Sequence, residues 1–120
     1  MVERINEPAR QVSQGESGRL DAVFRALGDP TRRDMLTRLR KRGMSIGHIA
    51  EYYELTFAAV AKHVDVLARA GLVVKARQGK EQVATLDPKA FAAANAYLEQ
   101  YQKLWQNRLD SLDNFLKNNK

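Results

Sequence analysis

A mainly helical domain carrying one small β-hairpin is the fold class that this 120-residue chain predicts. Three observations lead there. Apolar residues recur at three- and four-residue steps from Arg19 almost to the C-terminus, the period of helices buried along one face. Two short helical stretches, opening at Ser45 and Thr56, leave only Glu54 and Leu55 between them, which makes a helix-turn-helix. A β-branched stretch is interrupted around Gly79, the pattern of two strands and a tight turn.

Residues 1–18 are polar, contain Pro8, Gly15 and Gly18 and show no apolar period, so they are expected to form a flexible arm ahead of a single domain spanning 19–120. In LDAVFRAL, Leu20, Val23, Phe24 and Leu27 share one helical face, and Gly28 ends the helix. Asp29 as capping acid and Pro30 in the first turn open a second helix, whose buried stripe is Met35, Leu36 and Leu39 and which Lys41, Arg42 and Gly43 close. Ser45 caps a third, from Ile46 to about Tyr53, with Ile46, Ile49, Ala50 and Tyr53 inward. Thr56 caps a fourth that runs to Ala70. Along it Val60, Val64 and Leu67 fall on one side and Ala58, Lys62, Asp65 and Arg69 on the other, and Gly71 is placed to stop it.

LVVKARQGKEQVATLD then turns near Gly79, with Lys75, Arg77 and Lys80 around a basic tip. The last helix, Pro88 to about Lys117, carries Phe91, Ala94, Leu98, Tyr101, Trp105, Leu109, Leu112 and Phe115 as its seam. Thirty residues at helical rise measure about 45 Å, longer than a domain of this size covers by itself. Part of the helix 88–117 is therefore expected to bury against a second copy of the chain. The candidate dimer interface is Leu20 and Phe24 with Leu98, Tyr101, Trp105 and Leu112. Helix-turn-helix, basic hairpin and long dimerising helix together predict a winged helix-turn-helix.

Charge narrows the function. The net charge is +6, yet residues 31–80 alone hold eleven Lys/Arg against four Asp/Glu, so the positive excess sits in the central segment. A local basic surface is the footprint of a polyanion-binding protein. There is no 18-residue apolar run and no charged leader with a cleavage site, so a cytoplasmic location with no membrane partner is expected. The absence of cysteine removes disulfides, thiolate metal sites and cysteine nucleophiles. No Gly-rich phosphate loop and no Ser, His and carboxylate arrangement is visible from spacing, so no catalytic residue, no enzyme activity and no cofactor is expected. His48 and His63, fifteen residues apart, have no metal-ligand spacing.

Several stretches then agree with one family. ALGDPTRRDMLTRL, Ala26 to Leu39, resembles the ALxDPTRRxIL signature of ArsR-family bacterial transcription repressors. SIGHIAEYYELTFAAVAKHVDVLARAGLVVKARQGKEQVATLDP resembles that family's helix-turn-helix and wing in order and spacing. YLEQYQKLWQNRLDSLDNFL is similar to the long C-terminal helix of a cysteine-poor branch, so the likeness spans about Leu20 to Leu116. The resemblance implies a homodimeric, sequence-specific repressor bound to double-stranded operator DNA, with a recognition helix in the major groove and the wing on the backbone or minor groove. It also implies what is missing. Where family members that sense metals carry LCVCDLA, this chain reads MSIGHIA, with Ser45 and Gly47 in the cysteine positions, and no histidine after His63 could serve a site on the last helix, so no metal is expected.

On this reading the candidate DNA-contacting residues are Thr56, Phe57, Ala58, Ala61, Lys62 and His63 on the recognition helix, and Arg77, Gln78 and Lys80 at the wing tip. Family members commonly carry a polar run resembling SQPAVSKH where this chain has TFAAVAKH. Alanine and phenylalanine cannot make a bidentate bond to a base, so base-edge hydrogen bonds should be few and specificity should lean on Lys62, apolar contact to thymine and DNA shape. Two alternatives stay open: Phe57 tucked partly into the domain, and His63 as a boundary histidine bonded to the protein. Some of Arg32, Arg33, Arg40, Lys41 and Arg42 could also hold phosphates. Tyr52 and Tyr53, or Tyr97, Tyr101 and Trp105, could line a pocket for a small-molecule effector. The rival function is a winged-helix dimer that has lost DNA binding and serves as a protein-interaction module through Phe57, Ala58 and Ala61.

Overall fold

The computed structural model describes residues 14–118. Eight elements follow one another: α1 (Gln14–Leu27), α2 (Pro30–Leu39), β1 (Met44–Ser45), α3 (Ile46–Ala50), α4 (Phe57–Arg69), β2 (Val73–Gln78), β3 (Glu81–Leu86) and α5 (Pro88–Asn118). The result is a winged helix-turn-helix with an elongated C-terminal helix.

Side-chain caps begin three of the helices, each satisfying an N–H that the helix itself leaves unpaired. Asp29 accepts from the Arg32 N–H, Ser45 from that of His48 and Thr56 from that of Ala59, all at 3.0 Å. The end of α4 is as definite. Ala70 is its last cap, Gly71 takes φ +80°, and the Gly71 and Leu72 amides donate to the carbonyls of Ala68 and Leu67. This reverse turn needs a left-handed residue, which glycine supplies without strain, and it delivers the chain directly into β2.

The core gathers where α2, α3 and α4 meet. Met35, Ile49, Val60, Val64, Leu67 and Leu72 are all but inaccessible, with Val23 and Ala26 of α1 and Ala84 of β3 closing the sides. Among the described residues no polar or charged side chain is buried.

Three boundaries differ from the sequence expectation. First, α1 begins at Gln14, so residues 14–18 belong to a helix and not to the arm; residues 1–13 lie outside the described residues. An apolar period marks only the buried part of a helix, and Gly18 and Arg19 are exposed. Second, α3 stops at Ala50 instead of Tyr53. The amides of Glu51, Tyr52 and Tyr53 donate three residues back, tightening the last turn, and the Tyr53 hydroxyl donates to Asp34 at 2.6 Å. A long-range bond outcompetes a further helical turn.

The third difference is β1, for which the sequence carries no signal. Met44 and Ser45 pair antiparallel with Ala84 and Val83, giving a three-stranded sheet in the order β1-β3-β2. Two residues are too few to show a period, so only the pairing reveals the strand. Gly43 permits the approach: a Cβ there would stand 2.8 Å from the Thr85 hydroxyl and 3.1 Å from the Ala84 carbonyl. Gly43→Ala should therefore cost about 1–3 kcal/mol of stability through overpacking, read as a lower urea midpoint with an unchanged m-value; an unaltered midpoint would show that β1 can be displaced freely.

Candidate nucleic-acid interface

Burying Val60, Val64 and Leu67 turns the opposite side of α4 to solvent. On that side Thr56, Phe57, Ala58 and Lys62 are exposed, and Phe57 is 60% accessible, so its ring does not tuck into the domain. Thr56 stands at the face, its hydroxyl oxygen accepting the Ala59 N–H as the cap. Ala61 is half-buried and packs on the core.

His63 does not join this face. Its side chain is half-buried, with Nδ1 3.2 Å from the Arg32 Nη1 and 3.9 Å from an Asp29 carboxylate oxygen. A guanidinium can only donate, so in this contact Nδ1 is the acceptor. Of the two arrangements the sequence leaves open, the structure has the boundary histidine. Arg32 itself is engaged within the protein. Its Nε donates to the Ala26 carbonyl at 2.8 Å and its Nη2 to that of Arg25 at 3.0 Å, so one side chain ties the end of α1, the start of α2 and the middle of α4. Arg33 likewise donates to the Leu27 carbonyl at 2.7 Å. Nothing in the local sequence marks this cross-tie, because its partners lie six, seven and thirty-one residues away.

The Asp29 carboxyl is held below its usual value, chiefly by the Arg32 amide it caps and then by the charge of Arg32 and that of the His63 ring whenever it is protonated, against the opposing effect of desolvation. A carboxyl with a lowered folded value stabilises fully above its unfolded value and loses that stabilisation as pH falls through the folded one.

The wing lies beside α4. Asp65 accepts from Arg69 at 2.7 Å and from Lys75 of β2 at 3.2 Å, so Lys75 docks the wing on the helix and neither base is unpaired. β2 and β3 are joined by the two-residue turn Gly79–Lys80, with Gly79 at φ +64°. At the tip Arg77, Gln78 and Lys80 are exposed, Arg77 making a long bond from Nε to the Gly79 carbonyl at 3.4 Å. Arg40, Lys41 and Arg42 are exposed at the end of α2. Among the described residues Lys62 and Lys80 are in no ion pair.

The tyrosines divide between two places. Tyr53 donates to Asp34, which also accepts from Arg38 at 2.9 Å, while the Arg38 guanidinium lies 3.9 Å from the Tyr52 ring centre. Burial and the bond to Asp34 push the Tyr53 hydroxyl up to about 12. This pair braces the turn against α2. Tyr97 meets Phe24 of α1 and Tyr101, with ring centres at 6.0 and 5.3 Å, bringing candidate interface residues of α1 and α5 side by side. A groove of about 570 Å³ runs past them along Val23, Ala70, Ala90, Ala93 and Tyr97; Tyr101 and Trp105 are not in its lining. Of the remaining interface candidates Leu20 is half-buried, and Leu98, Trp105 and Leu112 are exposed along α5.

Comparison with known proteins decides among the uses of such a fold. The helix-turn-helix domain family matches residues 27–76. YuzN of Bacillus subtilis, an uncharacterized HTH-type transcriptional regulator, is 43% identical over 74 residues, 56% of this chain and 80% of that one. SdpR, a transcriptional repressor of the same organism, is 33% identical over 51% of this chain and 68% of its own. The crystal structure of an ArsR family transcriptional regulator superposes with a TM-score of 0.71 at 28% identity, covering 82% of this chain and 97% of that one. The chain belongs to the ArsR family of winged helix-turn-helix transcriptional regulators. It is a DNA-binding regulator of transcription. Among the described residues this ArsR-family chain has no group of three or more His, Asp or Glu positioned to hold a metal ion, and no helix long and apolar enough to cross a membrane.

The geometry separates two arginine and lysine roles. Lys80→Ala should weaken binding to every DNA sequence alike and reduce the slope of log affinity against log salt by about one; an unchanged slope would remove the wing tip from the contact set. Arg32→Ala should leave that slope alone and cost about 1–3 kcal/mol in urea unfolding through its lost charged hydrogen bonds, whereas a flattened slope would make it a phosphate ligand.

Proposed function

We propose that this regulator is a homodimeric repressor that occupies a pseudo-palindromic operator and acts by occupancy, without a catalytic step. The observation that carries the dimer is the far half of α5. Leu98, Tyr101, Leu104, Trp105, Leu109, Leu112, Phe115 and Leu116 are each between 49% and 61% accessible, a continuous run of large apolar side chains that nothing among the described residues covers. Such a surface is characteristic of an association site, and Phe24, meeting Tyr97 beside Tyr101, extends it to α1. Two-fold pairing through α5 sets one α4 from each copy at half-sites about 34–36 Å apart.

Within each half-site, the N-terminal face of α4 from Thr56 to Lys62 addresses base edges, and Arg77, Gln78 and Lys80 approach phosphates, where released counterions supply binding energy. The repressor SdpR supports repression as the outcome. The test is anisotropy with DNA upstream of the protein's own gene and a scrambled duplex, titrated with salt. Tight, salt-sensitive binding to the first alone supports an autogenous operator, and equal binding to both denies sequence-specific occupancy there. Trp105→Ala should weaken the dimer about thirtyfold or more, since truncating a Trp that is a hot spot of an association surface costs at least about 2 kcal/mol. Sedimentation at micromolar concentration reads this, and an unaltered dimer would place Trp105 outside the interface.

A further inference from the structure

The outward face of α4 is mostly apolar, and the polar side chains at its edges each hold a partner within the protein. The Thr56 hydroxyl caps the helix, His63 is bonded to Arg32, and Asp65 is engaged by Arg69 and Lys75. Behind the helix the Ser45 hydroxyl is likewise spent on the His48 amide. What projects is Phe57, with Ala58 beside it and Lys62 one turn on. Tyr52 and Leu55, 44% and 41% accessible, continue the same end of the motif as apolar surface. The Phe57 ring is open to solvent on most of its surface; even a Cβ added at Gly47 of α3 would come no nearer than 4.0 Å to its Cε2.

On the major-groove edges of the four base pairs, the one apolar group is the C5-methyl of thymine. The flanking cations, Lys62 on the helix and Arg77 and Lys80 on the wing, suit a nucleic-acid backbone better than an apolar protein surface. We propose that Phe57, with Ala58, is a specificity residue that reads the thymine C5-methyl in each half-site, so that the regulator distinguishes thymine from uracil, and 5-methylcytosine from cytosine, at that position. The proposal rests on α4 entering the major groove. Lys62, a donor only, is left to read acceptors such as guanine O6 and N7.

The test uses the intact protein and a duplex selected by it from a randomised pool, resynthesised with deoxyuridine at one thymidine at a time. Loss of one contacted methyl should weaken binding about fourfold, the effect of one buried methylene-sized group. Placing 5-methylcytosine in place of cytosine at the same position should strengthen binding by a similar factor. In Phe57→Ala both differences should vanish, while Phe57→Leu keeps an apolar contact and retains part of each. Because Phe57 is exposed, the thermal melt of both variants should match the parent. A parent protein indifferent to uracil at every position would overturn the proposal. Discrimination that survives unchanged in Phe57→Ala would also overturn it, assigning methyl reading to another residue. Failure to select any duplex, even at low salt, would instead remove the major-groove placement on which the proposal stands.

Discussion

Burial of Val60, Val64 and Leu67 along one side of α4 is the constraint on which the rest depends. A helix of period 3.6 that commits one side to a core must present the other to solvent, so the same packing that stabilises the domain also aims Phe57, Ala58 and Lys62 outward. The contact with Ile49 of α3 and Met35 of α2 sets the angle of the motif, and the glycine turn at Gly71 converts the end of the helix into the first strand of the wing. Recognition face and wing are thus positioned by one core. The Lys75 to Asp65 pair adds a direct link between them.

Polar side chains around the motif are spent on architecture. Three of them cap helices, Arg32 ties α1, α2 and α4 together through two carbonyls and His63, and Asp34 joins Tyr53 to Arg38. Each leaves fewer groups free to touch a base. The reading surface is correspondingly apolar, and its remaining cations sit where phosphates can be met.

The far half of α5 obeys a different rule. Up to Ala94 the helix packs on the domain, and beyond it nearly every side chain is exposed, so its apolar seam is left uncovered among the described residues. The molecule extends 66 Å along its long axis, a consequence of that projecting helix. An extended lever with an uncovered seam places the means of pairing well away from the reading face, so that pairing and base contact do not compete for the same side chains.

What was legible in the sequence, and what was not, follows from the range of the interactions concerned. Caps, the turn at Gly71, the hairpin at Gly79 and the periods of α2, α4 and α5 depend on neighbours within about four residues, and the sequence by itself determined them. The family followed from several such stretches in order. Tertiary structure alone decided β1, whose two residues acquire meaning only opposite β3, and the early end of α3, where Tyr53 reaches back nineteen residues to Asp34. It also decided that Arg32 ties α1 and α2 to α4, that His63 turns toward α2, and that Phe57 stands open. Helical spacing places each of these side chains only to within a sector of the wheel; which neighbour fills the remaining space is settled by packing between distant segments, and local sequence does not encode it.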